Sequence, residues 1–525
     1  MVERAIRLHD ATIQEVLDEK RAEGKTIGLC HGCFDLVHFG HLLHFEEAKK
    51  LCDFLVVSVT TDRFVNKGPG RPLFNEEQRL HQLALVREVD AVCISNAPTA
   101  QEILDKVRPD FYFKGTDYAD LDADPTGMIK VERDYVESLG GKLVITATEK
   151  HSSTDLMKAS GLTNLSDASS AFLDQVRAET SLDEILHYLD NVFPKLSIAV
   201  LGDIIIDEYV GTLPVGTTTK SPTISCIFQD TEVMAGGTAA IARHVAEFAG
   251  NVNLVCQKGG RNWAFDDLLA EIFPDNLSVH WVESPDRYTP QKVRYFSFGY
   301  PNTLKNQSRG GERGGQLQKL FELAYLNSDD SEAAIVKKML VDGEIDLSRA
   351  DAVIWADFGH GLLNRDVWQA VTETTSKVVA NVQTNSTNFG FNLAGKYPGA
   401  DVICIDELEA RLILSDRDSS IDDIWDELRK RVVCSQLIVT RGMQGIRVDY
   451  GKSISEVPAL AVKVVDPVGA GDAVLSAAAL CRAAKAPATV TNVLLSAFGA
   501  IACMNVGNSE PVRRDVLLRF LSGCF

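Results

Sequence analysis

Short apolar segments alternate with amphipathic segments of helical length in two long stretches of this chain, and this alternation limits the possible fold most. The first stretch runs from a helix at 12–23 and a strand at 26–30 to a strand at 142–145. The second begins with a strand at 197–201 and continues to the C-terminus. Strands separated by helices of this length form parallel, doubly wound sheets of Rossmann type. We therefore predict an α/β protein.

The chain of 525 residues is too long for one ordinary core, which favours two domains. Between the two stretches the sequence is rich in Ser, Thr, Asp and Asn at 163–170 and helical from Leu182 to Val192. We predict domains at 1–160 and 196–525, with a helical connector at 161–195. A glycine-rich loop at 301–315 lacks the Lys-Ser/Thr ending of a Walker loop, so we do not interpret it as a P-loop.

Composition excludes several classes of function. With 53 basic and 73 acidic residues the net charge is −20, so most of the surface would repel a nucleic acid. No apolar run approaches a membrane span, and the N-terminus has no signal-peptide pattern. The 11 cysteines are scattered, as is typical of reduced thiols. We expect a cytoplasmic protein that binds neither membrane nor nucleic acid.

A strand-to-helix turn in the first stretch carries His38-Phe39-Gly40-His41. A helix N-terminus offers N–H donors, Gly40 lets an anion approach the backbone, and two imidazoles can bind or protonate a phosphate. A zinc site built from His31, His38, His41 and His44 is an alternative, although no acidic residue stands at HExxH spacing. Cys30 and Cys33 have CxxC spacing without a second pair, so small packing residues are favoured there over metal or redox chemistry.

Three further elements follow this turn in order. They are a basic loop at 67–72, a helix that opens with Glu-Glu-Gln-Arg at 76–79, and a helix that opens with His-Ser-Ser-Thr-Asp-Leu at 151–156. Hydroxyls at a helix start are often plain N-caps, so Ser152 to Thr154 alone would indicate little. Together with the histidine turn they indicate a phosphate-binding site.

These motifs resemble the HxGH nucleotidyltransferase superfamily, most closely the nucleotidyltransferase half of bifunctional ADP-heptose synthesis enzymes, over about 25–160. In that family a sugar phosphate attacks the nucleotide α-phosphate and pyrophosphate leaves. The resemblance implies catalytic roles for His38, His41 and Lys67, and it places Asp35 and Asp117 near the substrate. The residues that it implies for the nucleotide and its phosphates are Cys33, Phe34, Gly40, Arg71, Arg79, Ser152, Ser153 and Thr154.

A second strand-to-helix turn lies at Asp466-Pro467-Val468-Gly469-Ala470-Gly471-Asp472, after a predicted strand at 462–465. Gly469 and Gly471 allow successive N–H groups to converge on an anion. Asp472, at the start of the next helix, can accept a proton from an attacking hydroxyl. This pattern indicates phosphoryl transfer to an alcohol, although a glycine-rich turn with an Asp cap remains possible from this motif alone.

The second stretch resembles the ribokinase-like sugar kinases, the phosphofructokinase-B group, over about 196–510, and this implies a small β lid. By resemblance Asp472 is the catalytic base, and the amides of Gly469, Ala470 and Gly471 hold the transferring phosphate. Thr440, Gly442 and Gly445 would border the nucleotide, and Glu409 would bind Mg²⁺. The residues implied for the sugar are Asp203, Asp207, Gly236, Gly237, Lys292, Arg294 and Asp357.

The second stretch also departs from this family's pattern. Ala240 stands where an asparagine usually follows the paired glycines, His360 lies in a changed Asp-Tyr-x-Lys-Gly motif, and 381–385 replaces an Asp-Pro-Lys. The two domains also occur in the reverse of the order in the fused heptose enzyme. These departures concern the sugar more than the chemistry, because the anion-binding turn and the base are retained.

Together the two resemblances imply a bifunctional enzyme of nucleotide-sugar synthesis, with an ATP-dependent, heptose-phosphate-like sugar kinase and a sugar 1-phosphate nucleotidyltransferase. The implied cofactors are Mg²⁺ and ATP, with CTP possible at the first site. The implied partners are sugar phosphates, nucleotides and a second copy of the chain bound through the lid. Two alternatives stay open: a cytidylyltransferase for a polyol or other phosphate with a kinase of different substrate, and a kinase-like half that serves only dimerisation.

Overall fold

The computed structural model describes residues 5–9, 12–65, 68, 71–116, 128–146, 165–218, 220–297, 318–327, 329–461 and 464–525. The chain divides into two compact units, one formed by 1–165 with 518–524 and the other by 166–517 with Phe525. The domain limits expected at 160 and 195 stay predictions.

The first unit contains a six-stranded parallel sheet with the order β1-β4-β3-β2-β5-β6. Its strands are β1 (Ile6–Arg7), β2 (Ile27–Gly32), β3 (Phe54–Thr60), β4 (Ala91–Ser95), β5 (Phe111–Lys114) and β6 (Lys142–Ile145). The strand order reverses next to β2, and ligands of open α/β sheets bind at the carboxyl end of such a position. The turn that carries His38 and His41 follows this end of β2.

Helices of the first unit cover both faces of this sheet. They are α1 (Ile13–Ala22), α2 (Phe39–Leu51), α3 (Glu76–Ala84), α4 (Gln101–Val107) and α5 (Met128–Ser138). Alternate residues of β3 point to opposite faces, so Val56 joins one buried cluster with Leu17 and Ile103, while Val57 joins another with Phe45. The predicted strands and helices of the first stretch that fall on described residues are confirmed, with ends that differ by one or two residues.

The second unit contains two sheets. The larger has nine strands in the order β11-β10-β7-β14-β15-β16-β17-β18-β19, and only the β17–β18 and β18–β19 pairs are antiparallel. Its strands are β7 (Ser197–Gly202), β10 (Asn251–Gly259), β11 (Leu277–Ser284), β14 (Ala352–Asp357), β15 (Val378–Val382), β16 (Ala400–Asp406), β17 (Cys434–Thr440), β18 (Ile446–Asp449) and β19 (Ile454–Val457). The smaller sheet, which we call the lid sheet, has the order β13-β12-β8-β9. It consists of β8 (Ile204–Thr217), β9 (Ile224–Gly237), β12 (Gln291–Ser297) and β13 (Gln318–Tyr325).

Helices pack on both faces of the nine-stranded sheet. The helices of the second unit are α6 (Asp167–Glu179), α7 (Leu182–His187), α8 (Thr238–Ala246), α9 (Asp266–Ile272), α10 (Ser331–Val341), α11 (Arg365–Thr374), α12 (Glu407–Leu414), α13 (Ile421–Arg431), α14 (Ala470–Ala483) and α15 (Ala488–Ala502). The last helix, α16 (Arg514–Cys524), belongs mostly to the first unit. A buried cluster around Trp355, Trp368 and Tyr397 forms much of the core on one side. The small residues of α14 allow close packing, and Ala473 to Cys481 are all buried.

The predicted connector helices belong to the second unit. Leu173 and Val176 of α6 are buried, and Ser169 Oγ donates a hydrogen bond to the carbonyl of Ala459 at 3.1 Å. At the far end of α6, Glu179 accepts a 2.6 Å hydrogen bond from Thr489 at the start of α15. These contacts attach α6 to the side of the second unit formed by β19 and α15.

One predicted element is wrong and another lies outside the described residues. Val464 and Val465, expected at the end of a strand at 462–465, lie outside any strand, and the Val465 N–H instead donates to the Cys503 carbonyl at 2.9 Å. Apolar β-branched residues therefore form an irregular segment here, anchored on the end of α15. The loop expected at 301–315 lies outside the described residues. All 11 cysteines are free thiols, and no described helix is long and apolar enough to span a bilayer.

Candidate active sites

The histidine turn is built as a reciprocal helix cap. His38 is the N-cap of α2, where its Nδ1 accepts the Gly40 N–H at 3.1 Å, while His41 Nδ1 accepts the His38 N–H at 3.4 Å. The two rings stack with centroids 4.0 Å apart. Because both Nδ1 atoms accept hydrogen bonds, each neutral ring carries its proton on Nε2. The turn therefore presents two N–H donors of the kind that binds a phosphate oxygen.

Phe34 packs against this pair of histidines, and its predicted contact with the nucleotide stays a prediction. Its ring is buried and packs edge-on against His41, with centroids 5.3 Å apart, and at the same distance from Phe45. Its φ of 47° lies in the left-handed region, which is unusual for a residue with a side chain. We infer that the strained backbone at Phe34 fixes the ring that orients His41.

Asp35 and Arg71 form a buried ion pair beneath the loop at 71–74. The Arg71 Nε donates to Asp35 Oδ2, and the other carboxylate oxygen accepts the N–H groups of Leu73 at 2.7 Å and Phe74 at 3.0 Å. The Asp35 side chain is fully buried. The structure therefore gives Asp35 a role in holding this loop, and its predicted contact with substrate stays a prediction.

Arg79, predicted to bind nucleotide phosphates, is buried, and its guanidinium donates hydrogen bonds to several protein groups. Its guanidinium donates to the carbonyls of Phe74, Cys33 and Thr60 and pairs with Asp62 at 2.7 Å. The side chain has no solvent exposure. Arg79 thus joins the loop after β2, the end of β3 and the start of α3, and these contacts position the histidine turn indirectly.

Replacing Arg79 with alanine is expected to destabilise the first unit by about 3–5 kcal/mol, because the substitution leaves Asp62 and three carbonyls without their buried partner. Chemical unfolding followed by circular dichroism measures this loss. Arg7→Ala is a matched control, since Arg7 forms an exposed ion pair with Glu77 at 2.7 Å and its removal should cost under about 1 kcal/mol. Equal stability of the two variants would contradict the role of Arg79.

The other histidines of the proposed zinc alternative have hydroxyl partners. His31 Nδ1 lies 2.7 Å from Ser58 Oγ, and His44 Nδ1 lies 2.8 Å from Thr146 Oγ1. Burial, with the nearby Lys114 charge, lowers the pKa of each ring to about 4. No group of three or more potential metal-binding side chains occurs among the described residues. Lys67, Asp117, Ser152, Ser153 and Thr154 lie outside the described residues, and their roles stay predictions.

The second unit contains a cavity of about 530 Å³ between the lid sheet and the large sheet. The predicted residues that line it are Asp207, Gly237, Lys292, Arg294, Glu409, Thr440, Gly442, Gly445, Gly469, Ala470, Gly471 and Asp472. Residues from the two ends of the second unit's sequence therefore meet at one cavity, as the second resemblance implies.

The second glycine turn forms the anion-binding end of this cavity. Gly469 has a φ of 86° and is the N-cap of α14. The Asp466 carboxylate accepts the N–H groups of Val468 and Gly507, and these hydrogen bonds fix the conformation of the turn. Within the described chain, the N–H groups of Gly471 and Asp472 have no protein acceptor. These free donors at the start of a 14-residue helix favour a bound phosphate.

Asp472 has the properties of a general base. Its carboxylate is buried and has no hydrogen-bond partner among the described residues. Burial and the charge of Asp207 raise its pKa to about 7, while Lys292 acts in the opposite direction. A pKa near the operating pH suits a group that must accept a proton during the reaction.

Lys292 and Arg294, on the same strand, differ in their partners. Arg294 pairs with Asp207 and with Glu322 at 3.0 Å, so its charge is already matched. Lys292 is buried and lines the cavity, and no carboxylate lies within ion-pair distance of its ammonium group in the described part of the chain. Burial lowers the pKa of Lys292. It is therefore the described cation best placed to meet a phosphoryl group near Asp472.

Asp203 and Asp357, predicted to face the sugar, do not line the cavity. Asp203 accepts the N–H groups of Phe358, His360 and Leu362, and burial with the Asp357 charge raises its pKa to about 7. Asp357 binds Tyr397 Oη at 2.8 Å and Lys396 Nζ at 2.7 Å. Asp203 thus holds the loop at 358–362, and Asp357 also accepts the Gly359 N–H of this loop at 2.8 Å. Contact of either carboxylate with a sugar stays a prediction.

The cavity lining also contains apolar side chains, which could contact a nucleotide base. They are Met443, Ile446, Leu460, Val464, Val474, Ala500 and Cys503. Thr440, Gly442 and Gly445 line the same cavity. Since Gly445 has a φ of 93° and a methyl group there would overlap the Val457 carbonyl, only glycine fits this position.

Glu409, predicted to bind Mg²⁺, already accepts hydrogen bonds on both of its carboxylate oxygens. Its two oxygens accept the N–H groups of Thr384 at 2.9 Å and Asp406 at 3.0 Å. Burial and the Asp406 charge raise the pKa of Glu409 to about 8, so a cation would stabilise its charged form. The remaining lone pairs fit contact with the hydration shell of a magnesium ion better than a direct bond.

Comparisons with known proteins agree with the two sites. Residues 29–159 match the cytidylyltransferase-like family, and residues 325–513 match the pfkB family of carbohydrate kinases. The chain therefore joins a cytidylyltransferase-like domain to a pfkB carbohydrate kinase domain, in the predicted order. Both are transferase domains, and the predicted family resemblance and fold class are confirmed.

Curated relatives match the N-terminal domain. Bifunctional protein HldE of Syntrophotalea carbinolica is 36% identical over 156 residues, which are 29% of this chain and 30% of that protein. Bifunctional protein HldE of Caulobacter vibrioides is 37% identical over 143 residues, or 27% of this chain and 28% of that protein. The matched segment thus spans less than a third of either relative's length.

Solved structures resemble the larger part of the chain. Phosphofructokinase-2 from Escherichia coli in complex with potassium has a TM-score of 0.47 and 16% identity, covering 63% of this chain and 99% of that one. Arabidopsis thaliana ribokinase complexed with ribose and ATP has a TM-score of 0.45 and 18% identity, covering 62% of this chain and 99% of that one. At these values no substrate is inferred from the likeness.

Proposed function

We propose that this chain is a bifunctional enzyme of nucleotide-sugar synthesis. In the kinase unit ATP phosphorylates a sugar or sugar phosphate, and in the other unit a sugar 1-phosphate is joined to a nucleotide with release of pyrophosphate. The single observation that carries the proposal is that each unit has its own anion-binding turn at a helix N-terminus. One turn has paired imidazoles, and the other has a buried carboxylate with no partner among the described residues. A heptose phosphate is the substrate that the sequence resemblance favours.

In the kinase step, Asp472 takes the proton of the acceptor hydroxyl as its oxygen attacks the γ-phosphorus and ADP leaves. The N–H groups of Gly471 and Asp472, with Lys292, stabilise the charge on the transferring phosphoryl group. Bound Mg²⁺ would neutralise part of the ATP charge, and Glu409 is the residue that would hold it. The departures at Ala240 and at 381–385 leave these groups in place.

In the nucleotidyltransferase step, a phosphate oxygen of the sugar 1-phosphate attacks the nucleotide α-phosphorus, and the bond to pyrophosphate breaks. The Nε2 donors of His38 and His41 stabilise the negative charge on the phosphates. Asp35 and Arg79 hold the surrounding loops and so fix both rings relative to β2. ATP is the expected nucleotide, while the match to a cytidylyltransferase-like family makes CTP the second candidate.

Two product assays test the proposal. ADP release is followed with ATP and a panel of sugars, polyols and sugar phosphates, and pyrophosphate release is followed with ATP or CTP and a panel of sugar 1-phosphates and polyol phosphates. We expect both products, and dependence on ATP or CTP decides the nucleotide. Folded protein that yields neither product across these panels would overturn the proposal.

We also propose that two copies of the chain pair through the lid sheet. Six apolar side chains of this sheet are between 45% and 61% exposed: Val215, Ile224, Ile227, Phe228, Phe321 and Leu323. Five of them lie on β9 and β13, which are the two edge strands. Edge strands with exposed apolar residues favour pairing with another chain, and a second copy presents the same surface.

Phe228→Glu is expected to convert the dimer to a monomer, because it places a charge in the apolar contact. Light scattering after size-exclusion chromatography measures the mass. Val341→Glu is the control, since Val341 is exposed at the end of α10 and away from the lid sheet, and this variant should stay dimeric. A monomeric wild type, or two variants of the same mass, would contradict pairing through the lid.

A further inference from the structure

Asn508 is a cavity residue that the sequence motifs did not reveal. It lies between α15 and α16, its side chain is 7% exposed, and it lines the cavity that contains Asp472. Arg243 holds its backbone by donating to the carbonyls of Asn508 at 3.0 Å and Ser509 at 3.2 Å. The preceding Gly507 N–H is bound by Asp466, so this segment is fixed to the second glycine turn.

The amide of Asn508 extends between the two glycine sites of the cavity. A methyl group added to Gly469 would overlap Asn508 Oδ1, and one added to Gly236 would come within 3.2 Å of Asn508 Nδ2. The same methyl group at Gly236 would overlap the Asp207 carboxylate. Asn508 and Asp207 therefore share the space beside Gly236, close to the turn that ends in Asp472.

This amide has no hydrogen-bond partner within the described chain, although it is more than nine-tenths buried. Its polar atoms stay accessible from the cavity, where a ligand can form hydrogen bonds with them. The side chain offers two N–H donors and one carbonyl acceptor, whereas the nearby Asp207, held by Arg294, accepts only. A hydroxyl group can donate to Asp207 and accept from Asn508 at the same time.

We propose that Asn508 binds a hydroxyl group of the phosphoryl acceptor next to the hydroxyl that Asp472 deprotonates. This inference rests on the proposed kinase function and makes the acceptor a polyhydroxy compound with at least two neighbouring hydroxyls. Ala240 of α8 has a buried methyl group where the family pattern has an asparagine, so Asn508 provides an amide from a different part of the chain.

Asn508→Ala tests the proposal by steady-state ADP release, using the acceptor with the highest wild-type turnover. We expect kcat/KM for the acceptor to fall about tenfold or more, with the KM for ATP unchanged within about twofold. Asn505→Ala is the matched control, because Asn505 is in the same segment but does not line the cavity, and it should retain wild-type values. Deoxy forms of the acceptor then identify the hydroxyl: the wild type should lose activity on one of them, and Asn508→Ala should lose little more.

Several outcomes would overturn the assignment. They are an unchanged kcat/KM in Asn508→Ala, an equal rise of both KM values, or an additional loss with every deoxy acceptor. If Asn508→Ala does not fold, Asn508→Ser keeps a smaller polar group, and the same deoxy comparison applies. A wild type that releases no ADP with any acceptor would contradict the kinase function itself, and calorimetric binding of the acceptor panel to wild type and Asn508→Ala would still test the hydroxyl contact.

Discussion

Asp472→Asn is expected to lower ADP release by roughly 10²–10⁴-fold and to leave pyrophosphate release unchanged. The asparagine has nearly the same shape but cannot accept the proton of the acceptor hydroxyl. The N–H groups of the turn and Lys292 remain, so ATP should still bind with a similar affinity. Stopped-time measurements of both products on the same protein preparation provide the test.

The wild-type pH profile gives a second measurement of the same group. Asp472 acts only when deprotonated, and its pKa is about 7, so kinase kcat/KM should rise about tenfold per pH unit below 7 and level off above it. Lys292 lowers the pKa of Asp472, so Lys292→Met should move this limb to higher pH. The other charged groups around this cavity, among the described residues, are Asp207, Arg294, Glu322, Asp406 and Glu409.

Asp472 also decides between the catalytic and the non-catalytic interpretation of the kinase unit. If this unit served only dimerisation, Asp472→Asn would leave every turnover unchanged. Loss of ADP release with intact mass and intact pyrophosphate release would establish a working kinase. Equal loss of both products would indicate a folding defect instead.

His41→Ala is expected to reduce pyrophosphate release by about 10²–10³-fold, with ADP release unchanged. The substitution removes one of two Nε2 donors at the α2 N-terminus, where negative charge develops on the phosphates. His38→Ala should have a comparable effect, but it also removes the N-cap that accepts the Gly40 N–H. Pyrophosphate release under saturating nucleotide and sugar 1-phosphate is the measurement.

His38→Asn separates catalysis from capping. Asparagine is a favourable N-cap and can accept the Gly40 N–H, so the helix should keep its stability. It lacks an N–H group at the position of Nε2, so activity should still fall with His38→Asn. Recovery of wild-type activity in this variant would show that His38 acts only as a cap.

Local sequence patterns predicted most of the elements and both turns, because alternating strands and helices, glycines with positive φ and helix caps are properties of neighbouring residues. For Arg79, Asp203 and Asp357, such patterns did not predict which groups the side chains contact. Each belongs to a motif, and each binds protein groups that are distant in sequence, such as Asp203 with the N–H groups at 358–362 and Asp357 with Tyr397 Oη. A motif shows that a residue matters at a site without showing whether it contacts the ligand or a loop.

Asn508 illustrates the opposite case. It belongs to none of the motifs, and its position beside Gly236 and Gly469 depends on how the segment between α15 and α16 packs against α8 through Arg243. The wrong prediction of a strand at 462–465 has the same cause. The β-branched residues there favour a strand locally, but the Val465 N–H donates to the distant Cys503 carbonyl instead. Tertiary packing determines both the position of Asn508 and the irregular conformation of Val465. The pattern of apolar and polar residues along the sequence does not contain this information.

The attachment of α6 to β19 and α15 has a practical consequence for anyone who isolates the kinase half. A fragment cut at 196, where the strand pattern resumes, would lose Ser169, Leu173 and Val176 and leave apolar surface uncovered beside Ala459, which lines the cavity. A fragment that begins at Ser166 keeps α6 and its N-cap. The isolated kinase unit would then retain the helix that covers this apolar surface.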